Sequence, residues 1–415
     1  MKRFFTSLFA LIPLISLAGG FQVNLQGNQQ AGMGHLGTSF YLGASSAYFN
    51  PAMLGLSDNK FDLEVGASGI KSYVVFQNQN TGATSETDNP LSTPFYVYGS
   101  YKINKELTAG LAIYTPFGSS VVWDEDWEGR YLIQDISLSA IFIQPTFSIN
   151  ANDKLSFGLG LIYATGNFEL NRALSLQSSS GGMSTANLSG NADGYGFNFG
   201  AYYQATEKLS LGLTYRSGMK MELEEGEAEF DVPAAVQSTI PPSNKFSTTL
   251  PLPSTSTLGI SYQLNDKLLI SAEYSYVDWD TYQSLDFDFE TNTDGFPDSK
   301  NPRRYEASSI FRLGFQYVVN ENLIARIGGY YDESPVQDDF FNPETPNTDN
   351  IGLTAGLSFS FSDKLAVDAS FVYTDGQERE SYYSGDNQGK TYGENFGGKY
   401  KTRSFIPGIG IRYNF

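Results

Sequence analysis

From residue 61 onward, apolar and polar residues alternate almost one by one along this chain. After Lys364, the residues Leu365, Val367, Ala369, Phe371 and Tyr373 fall on one face, and Ala366, Asp368, Ser370, Val372 and Thr374 on the other. Likewise Leu268, Ile270, Ala272, Tyr274 and Tyr276 oppose Leu269, Ser271, Glu273 and Ser275. The last segment sets Ile409, Ile411, Tyr413 and Phe415 against Gly408, Gly410, Arg412 and Asn414. A repeat of two is the side-chain period of a β-strand, so these segments predict strands with one apolar face.

Short turns punctuate the pattern. Asn104–Leu107, Asn152–Leu155, Thr206–Leu209, Asn265–Leu268, Asn320–Leu323 and Ser362–Leu365 are six polar turns that each end in Leu between two alternating segments. Each reads as a tight hairpin. Long polar stretches separate them: Gln177–Asp193, Glu222–Pro253, Gln283–Arg304 and Gly376–Arg403. Six hairpins join twelve strands, and one more at either end makes fourteen, running from 61–76 to 404–414, with the third at 107–117, the sixth at 192–205, the seventh at 208–221 and the eighth at 254–264. Short turns at one end and long loops at the other are the asymmetry of an outer-membrane barrel. The expected fold is all-β, a 14-stranded antiparallel transmembrane β-barrel with both termini on the periplasmic side.

The residues before the barrel divide in two. Lys2 and Arg3, the apolar stretch Phe4–Leu17 and the small-residue site Ser16-Leu17-Ala18 predict an export signal over 1–18. Residues 19–60 are rich in Gly, Ala, Ser, Asn and Gln. Fourteen strands enclose more space than their own side chains fill, so this segment is expected to plug the lumen, ahead of a barrel over 61–415.

Composition supports a lipid-facing wall. Aromatic residues reach 15%, while charged residues are 17%, below the roughly 25% of a soluble domain. There is no Cys, so strand closure rather than disulfides must stabilise the chain. A net charge of −19 excludes nucleic acid as a partner and places the acids in solvated loops. His35 is the only histidine and lies in the plug segment, far from any serine that it could activate. No metal-ligand spacing or phosphate-cradling loop occurs, so neither catalysis, a metal nor a cofactor is expected.

Several short stretches then resemble, in order, the FadL-type hydrophobic-compound transporters, a family that includes an aromatic-hydrocarbon branch. They are Gly20-Phe21-Gln22-Val23-Asn24, Gly32-Met33-Gly34, Phe49-Asn50-Pro51-Ala52, Trp127-Glu128-Gly129-Arg130-Tyr131, Gln144-Pro145, Tyr215-Arg216-Ser217, Leu250-Pro251-Leu252-Pro253, Asp278-Trp279 and the run Gly328–Val336. The resemblance implies a hatch inside the barrel and passive uptake of hydrophobic small molecules, long-chain fatty acids or aromatic hydrocarbons. Cargo would be caught among the outer loops, pass to a pocket beside the start of the hatch, and leave sideways through a gap at a kinked third strand. It further implies that Asn50, Pro51 and Ala52 are a hatch motif held against the wall near that kink, and that Phe21 touches ligand.

Gly110, Pro116 and Gly118 are the candidates for the kink, because Pro cannot donate to a strand ladder and Gly marks bulges. Arg216, Arg312 and Arg326 fall on the inward face and could meet a carboxylate; they could equally pair with lumen acids such as Asp62, Glu64, Glu273 and Asp368, or with the plug. A general porin or an adhesin barrel is the rival reading. Outer-membrane lipid and lipopolysaccharide are the expected surroundings, and the chain is expected to work as a monomer.

Overall fold

The computed structural model describes residues 20–177, 182–294, 296–383 and 396–415; the export signal expected over 1–18 lies outside them. Fourteen antiparallel strands form one closed wall. They are β1 (Phe61–Ser68 continuing as Lys71–Asn78), β2 (Phe95–Lys102), β3 (Leu107–Val122), β4 (Asp135–Asn152), β5 (Leu155–Gln177), β6 (Met183–Gln204) and β7 (Leu209–Arg216 continuing as Met219–Asp231). Then follow β8 (Ser243–Leu252 and Ser254–Asn265), β9 (Leu268–Asp278), β10 (Ser308–Asn320), β11 (Leu323–Asp332), β12 (Asn350–Ser360), β13 (Leu365–Gly376) and β14 (Phe396–Asn414). Closure comes from β1 pairing with β14, from Asp62 opposite Asn414 to Ser68 opposite Gly408.

The alternation sorts itself as lipid requires. Leu161, Leu258, Ile327, Leu353 and Ile409 stand outward and exposed, and Tyr101, Tyr203, Tyr262, Tyr317 and Tyr413 ring the short-turn end. Tyr195, Tyr215, Tyr276 and Phe405 form a second outward belt toward the long loops. An apolar band between two aromatic girdles is the outer surface of a membrane barrel.

Four strands run further than their polar composition suggests. β6 begins at Met183, β7 extends to Asp231, β8 begins at Ser243 and β14 at Phe396, all within stretches that read as loop. The alternation in fact persists there: Glu222, Glu224, Glu227 and Glu229 point out, while Met221, Leu223, Ala228 and Phe230 are buried. Beyond the bilayer the outer face meets water instead of lipid, so the strand continues while its exposed residues turn polar.

Residues 20–60 fill the bore. Their body holds two single-turn helices, α1 (Asn28–Ala31) and α2 (Ser46–Phe49), and a 3₁₀ segment over Pro51–Leu56. Lumen acids tie it to the wall. Glu273 accepts from the backbone amides of Gly37 and Thr38 at 2.8 and 2.6 Å, Glu64 from that of Ser45 at 3.1 Å, and Asp62 from the Tyr41 hydroxyl at 2.9 Å.

Bare backbone supplies the seats. A Cβ on Gly212 would collide with the carbonyl of Thr38, and one on Gly158 with Pro51. Gly110, Gly314 and Gly356 likewise stand directly against Leu54, Met33 and Gly32. At all of these but Gly110, which faces the Leu54 side chain, glycine is needed because the hatch backbone comes closer than a side chain permits.

Candidate functional site

The third strand is where the wall changes. Up to Tyr114 it pairs regularly with β2 and β4, but the β3–β4 register shifts between Tyr114 and Phe117. An extra residue in one strand flips the side-chain parity that follows. Below the bulge Thr108, Gly110, Ala112 and Tyr114 face inward; above it Phe117, Ser119 and Val121 do. The bulge therefore consists of Thr115 and Pro116, and Gly110 lies in regular pairing beneath it. Gly118 lies just above.

Beyond Thr115, β2 no longer pairs with β3. The leading end of the hatch takes its place: the Val23 amide donates to the Pro116 carbonyl at 2.8 Å, and Gly118 donates to the Phe21 carbonyl at 3.2 Å. Gln26 reaches the Thr115 carbonyl at 3.0 Å. Proline lacks an amide hydrogen, so Pro116 contributes to this short pairing only as an acceptor.

Three cavities meet around that leading end. The first is apolar, lined by Phe21, Phe117, Ile136, Leu138, Phe168, Met221, Leu223, Leu250, Leu252, Tyr282 and Leu285. The second, about 600 Å³, contains Phe21, Val23, Leu25, Pro94, Phe95 and both faces of upper β3, Phe117 and Ser119 as well as Gly118 and Ser120. A cavity bounded by both faces of one strand passes through the wall. Phe21, Phe117 and Leu138 line both spaces, so Phe21 forms part of the partition between them. Its ring is boxed by Trp279 at 4.9 Å and by Phe117 and Tyr282 at 5.9 Å each.

The third cavity is polar and holds two of the three arginines. Arg216 and Arg312 line it with His35, Thr38, Asn198, Thr257, Glu273 and Ser275, and Phe117 joins it to the other two. Arg312 is 8% exposed; it donates to the Ser275 hydroxyl at 2.7 Å, and its Nε has no hydrogen-bond partner. Glu273 is its direct cross-strand neighbour, yet that carboxylate accepts from the hatch amides, and among the described residues Arg312 is within ion-pair distance of no acid. Arg326 lies apart. It donates to Gln316 at 2.8 Å, to Ser358, and to Gln29 of the hatch at 2.9 Å, the arrangement of a structural tie. Arg412 and Asp368 pair at 2.7 Å.

Asn50, Pro51 and Ala52 form a helix start. The Asn50 side chain accepts from the Ala52 amide at 3.1 Å with Pro51 at the first helical position, an N-cap followed by the proline it favours. Its Nδ2 donates to the carbonyls of Thr38 and Ala201 at 2.8 and 3.0 Å, and Ser148 donates to the Ala52 carbonyl at 2.8 Å. The motif is thus seated on β4 to β6, not at the kink: Ser148 pairs with Thr108, seven residues short of Thr115, about 24 Å along the strand at 3.4 Å per residue. The hatch residues at the bulge are Phe21, Val23 and Gln26. Tyr114, Phe117 and Tyr282 complete the site without having been singled out by sequence, together with Gln144 of the Gln144-Pro145 stretch; the lapse of alternation at Thr115-Pro116 is the signal that would have found the bulge.

A plugged barrel with an apolar chamber opening through its wall is a specific architecture. The family model of outer membrane protein transport proteins (OMPP1/FadL/TodX) matches residues 9–415. The chain belongs to this family. As a FadL/TodX-family protein it is an outer-membrane transporter of hydrophobic compounds, a channel and not an enzyme. It is 25% identical to the long-chain fatty acid transport protein of Salmonella typhi, over 93% of this chain and 95% of that one. In fold it resembles a Pseudomonas aeruginosa FadL homologue (TM-score 0.80, 20% identity, 96% and 100% of the two chains). It also resembles the toluene transporter TbuX of Ralstonia pickettii (TM-score 0.72, 20% identity, 94% and 99%).

Proposed function

We propose that the cargo of this FadL/TodX-family protein is a long-chain fatty acid, taken up passively and released sideways between β2 and the upper half of β3. The long loops would face outside and both termini the periplasm. One observation carries this reading. A chamber of about 60 Å³ lined by apolar side chains adjoins, through Phe117, one holding the buried Arg312 guanidinium, whose neighbouring acid Glu273 is bonded to hatch amides. A buried cation whose neighbouring acid is engaged by the hatch amides favours an anionic guest, and a carboxylate would give Arg312 and Arg216 charge-assisted hydrogen bonds. A neutral hydrocarbon has no use for either.

Cargo would rest beside Phe21, and withdrawal of the leading segment from Pro116 and Gly118 would join the apolar chamber to the gap in the wall. The hatch body fills the lumen elsewhere, which argues against an open porin. The wall closes on itself through β1 and β14, so a monomer suffices.

The aromatic box of Trp279, Tyr282 and Phe117 around Phe21 favours a second reading, in which a benzene-like ring takes that slot. Uptake of labelled oleate and labelled toluene by a deletion strain, with and without the gene restored, separates the two. Restored oleate uptake that falls in an Arg312→Gln variant supports the fatty acid; restored toluene uptake indifferent to Arg312 supports the ring. Restoration of neither would falsify hydrophobic uptake by this chain.

A further inference from the structure

Arg216 reaches across the lumen from β7. Its Nη1 donates to the Tyr114 hydroxyl at 2.6 Å and to Gln144 Oε1 at 3.2 Å, and its Nη2 to the Tyr48 carbonyl at 2.9 Å. The guanidinium also lies 4.5 Å from the centre of the Tyr48 ring and 5.6 Å from that of Tyr114. Tyr114 is the last regularly paired residue of β3 before the bulge. Tyr48 belongs to α2, just ahead of the Asn50 cap. A single guanidinium therefore holds together the kinked strand, its neighbour β4 and the hatch. Every one of these acceptors is neutral, and the same side chain lines the polar chamber with Arg312.

We propose that Arg216 is a latch opened by the carboxylate of the cargo. The proposal rests on the fatty-acid reading of the preceding section. A carboxylate entering the chamber competes for the guanidinium with a backbone carbonyl and a phenol, and charge-assisted hydrogen bonds are roughly twice as strong as neutral ones. A ligand shifts an equilibrium only by binding one state better. Here the state with Arg216 turned away from Tyr48 is the one that gains the carboxylate.

Two attachments loosen together in that state. The Tyr48 carbonyl loses its donor, and the Tyr114 hydroxyl, directly beneath Thr115 and Pro116 on which Val23 and Gln26 hang, keeps only its own donation to Gln144 at 2.7 Å. Head-group capture in the polar chamber is thereby coupled to release of the leading segment from the wall gap. An uncharged tail of the same length fills the apolar chamber and leaves the latch shut. Arg216 acts here as a positioning residue.

The chain has no cysteine, so a single thiol reports cleanly. The mature full-length barrel carrying Val23→Cys is reconstituted, and its rate of labelling by a polar maleimide is measured with oleate, with oleyl alcohol and with neither. Oleate is expected to raise the rate, by roughly tenfold if the latch is worth about 1.4 kcal/mol, and oleyl alcohol to leave it unchanged. In Arg216→Gln the rate is expected to be high without ligand and insensitive to oleate. Arg216→Lys keeps the charge but not the fork that spans three acceptors, and should likewise respond weakly.

Equal responses to oleate and oleyl alcohol, or a parental oleate response in Arg216→Gln, overturn the latch. Should Arg216→Gln lose the heat-modifiable mobility of a folded barrel, Tyr114→Phe removes one arm instead. A raised basal rate in Tyr114→Phe supports the proposal, and an unchanged one sinks it. Oleate affinity measured on the same samples by displacement of a fluorescent fatty acid keeps the two failures apart. No oleate binding by the parent overturns the fatty-acid reading itself, whereas tight binding without a labelling response overturns the latch alone.

Discussion

The two parts of the hatch are held in opposite ways. Residues 25–57 are buried almost throughout, seated on wall glycines and bonded to Glu273, Glu64, Asp62, Ser148 and Asn198. Residues 20–24 are mostly half-buried, and two backbone bonds to β3 carry much of their attachment to the wall. Just inside the buried part lies Gly27, whose φ of 102° is open to glycine at little cost. A plug made of one uniform piece would have to leave the bore to let cargo through. This one can stay in place and move only its leading end.

The sharpest test locks each part in turn. Gln22 bridges Phe117 across an antiparallel pair, a spacing that suits a disulfide. The double variant Gln22→Cys/Phe117→Cys is expected to lose transport when oxidised, by tenfold or more (about 1.4 kcal/mol on the gating equilibrium), and to regain it with reductant. Ser39 and Ser261 touch through their hydroxyls at 2.5 Å, between hatch body and β8. The oxidised Ser39→Cys/Ser261→Cys pair is expected to transport at the parental rate. Loss of uptake in the second pair, or none in the first, breaks the contrast.

Next in size is the seat itself. Gly212→Leu drives a side chain into the Thr38 carbonyl, and overpacking of this kind costs about 1–3 kcal/mol. The unfolding temperature seen as heat-modifiable gel mobility should fall, with uptake per folded barrel less affected. Phe21→Ala should act the other way round, sparing stability of the wall while weakening fluorescent fatty-acid binding roughly tenfold, since a buried Phe contributes about 1.5–3 kcal/mol.

The smallest effect concerns the long loops. Burial pushes the Asp349 carboxyl up to about 7, with Glu333 and Asp338 adding and Arg379 opposing. A carboxyl raised in the folded loop binds more protons than in the unfolded chain, so ionising it costs stability. That cost is full above pH 7 and is relieved as pH falls through 7 toward the ordinary carboxylate range. Proteolysis of the 333–349 loop should therefore be slower at pH 5 than at pH 8, and Asp349→Asn should remove the difference.

Much of the wall is legible in sequence because lipid enforces a period of two. Leu365, Val367 and Ala369 had to share a face, and the hairpins after Asn104 and Ser362 mark the register. The site is less legible for a physical reason. A bulge is one residue out of step, and Pro116 looks the same whether it ends a strand or bends it. Arg216, Arg312 and Arg326 all fall inward by parity, yet parity says nothing of depth: two reach the chamber beside the leading segment, and Arg326 meets the hatch body at Gln29. The Asn50-Pro51-Ala52 motif drew attention to the hatch, whereas the residues at the gap are Phe21, Val23 and Gln26. Their partners come from β3, almost a hundred positions away, and no local pattern announces them.

The seam between the first and last strands carries one more consequence. Asn28 receives a hydrogen bond from Ser370 on β13 at 2.7 Å, donates to the Tyr96 hydroxyl on β2 at 2.9 Å, and lies against Gly66 and Gly408 on the two strands between. The plug thus spans the join that only the last strand can complete. Seating of the plug and closure of the cylinder are thereby coupled, because Asn28 has its full set of neighbours only where the first and last strands meet.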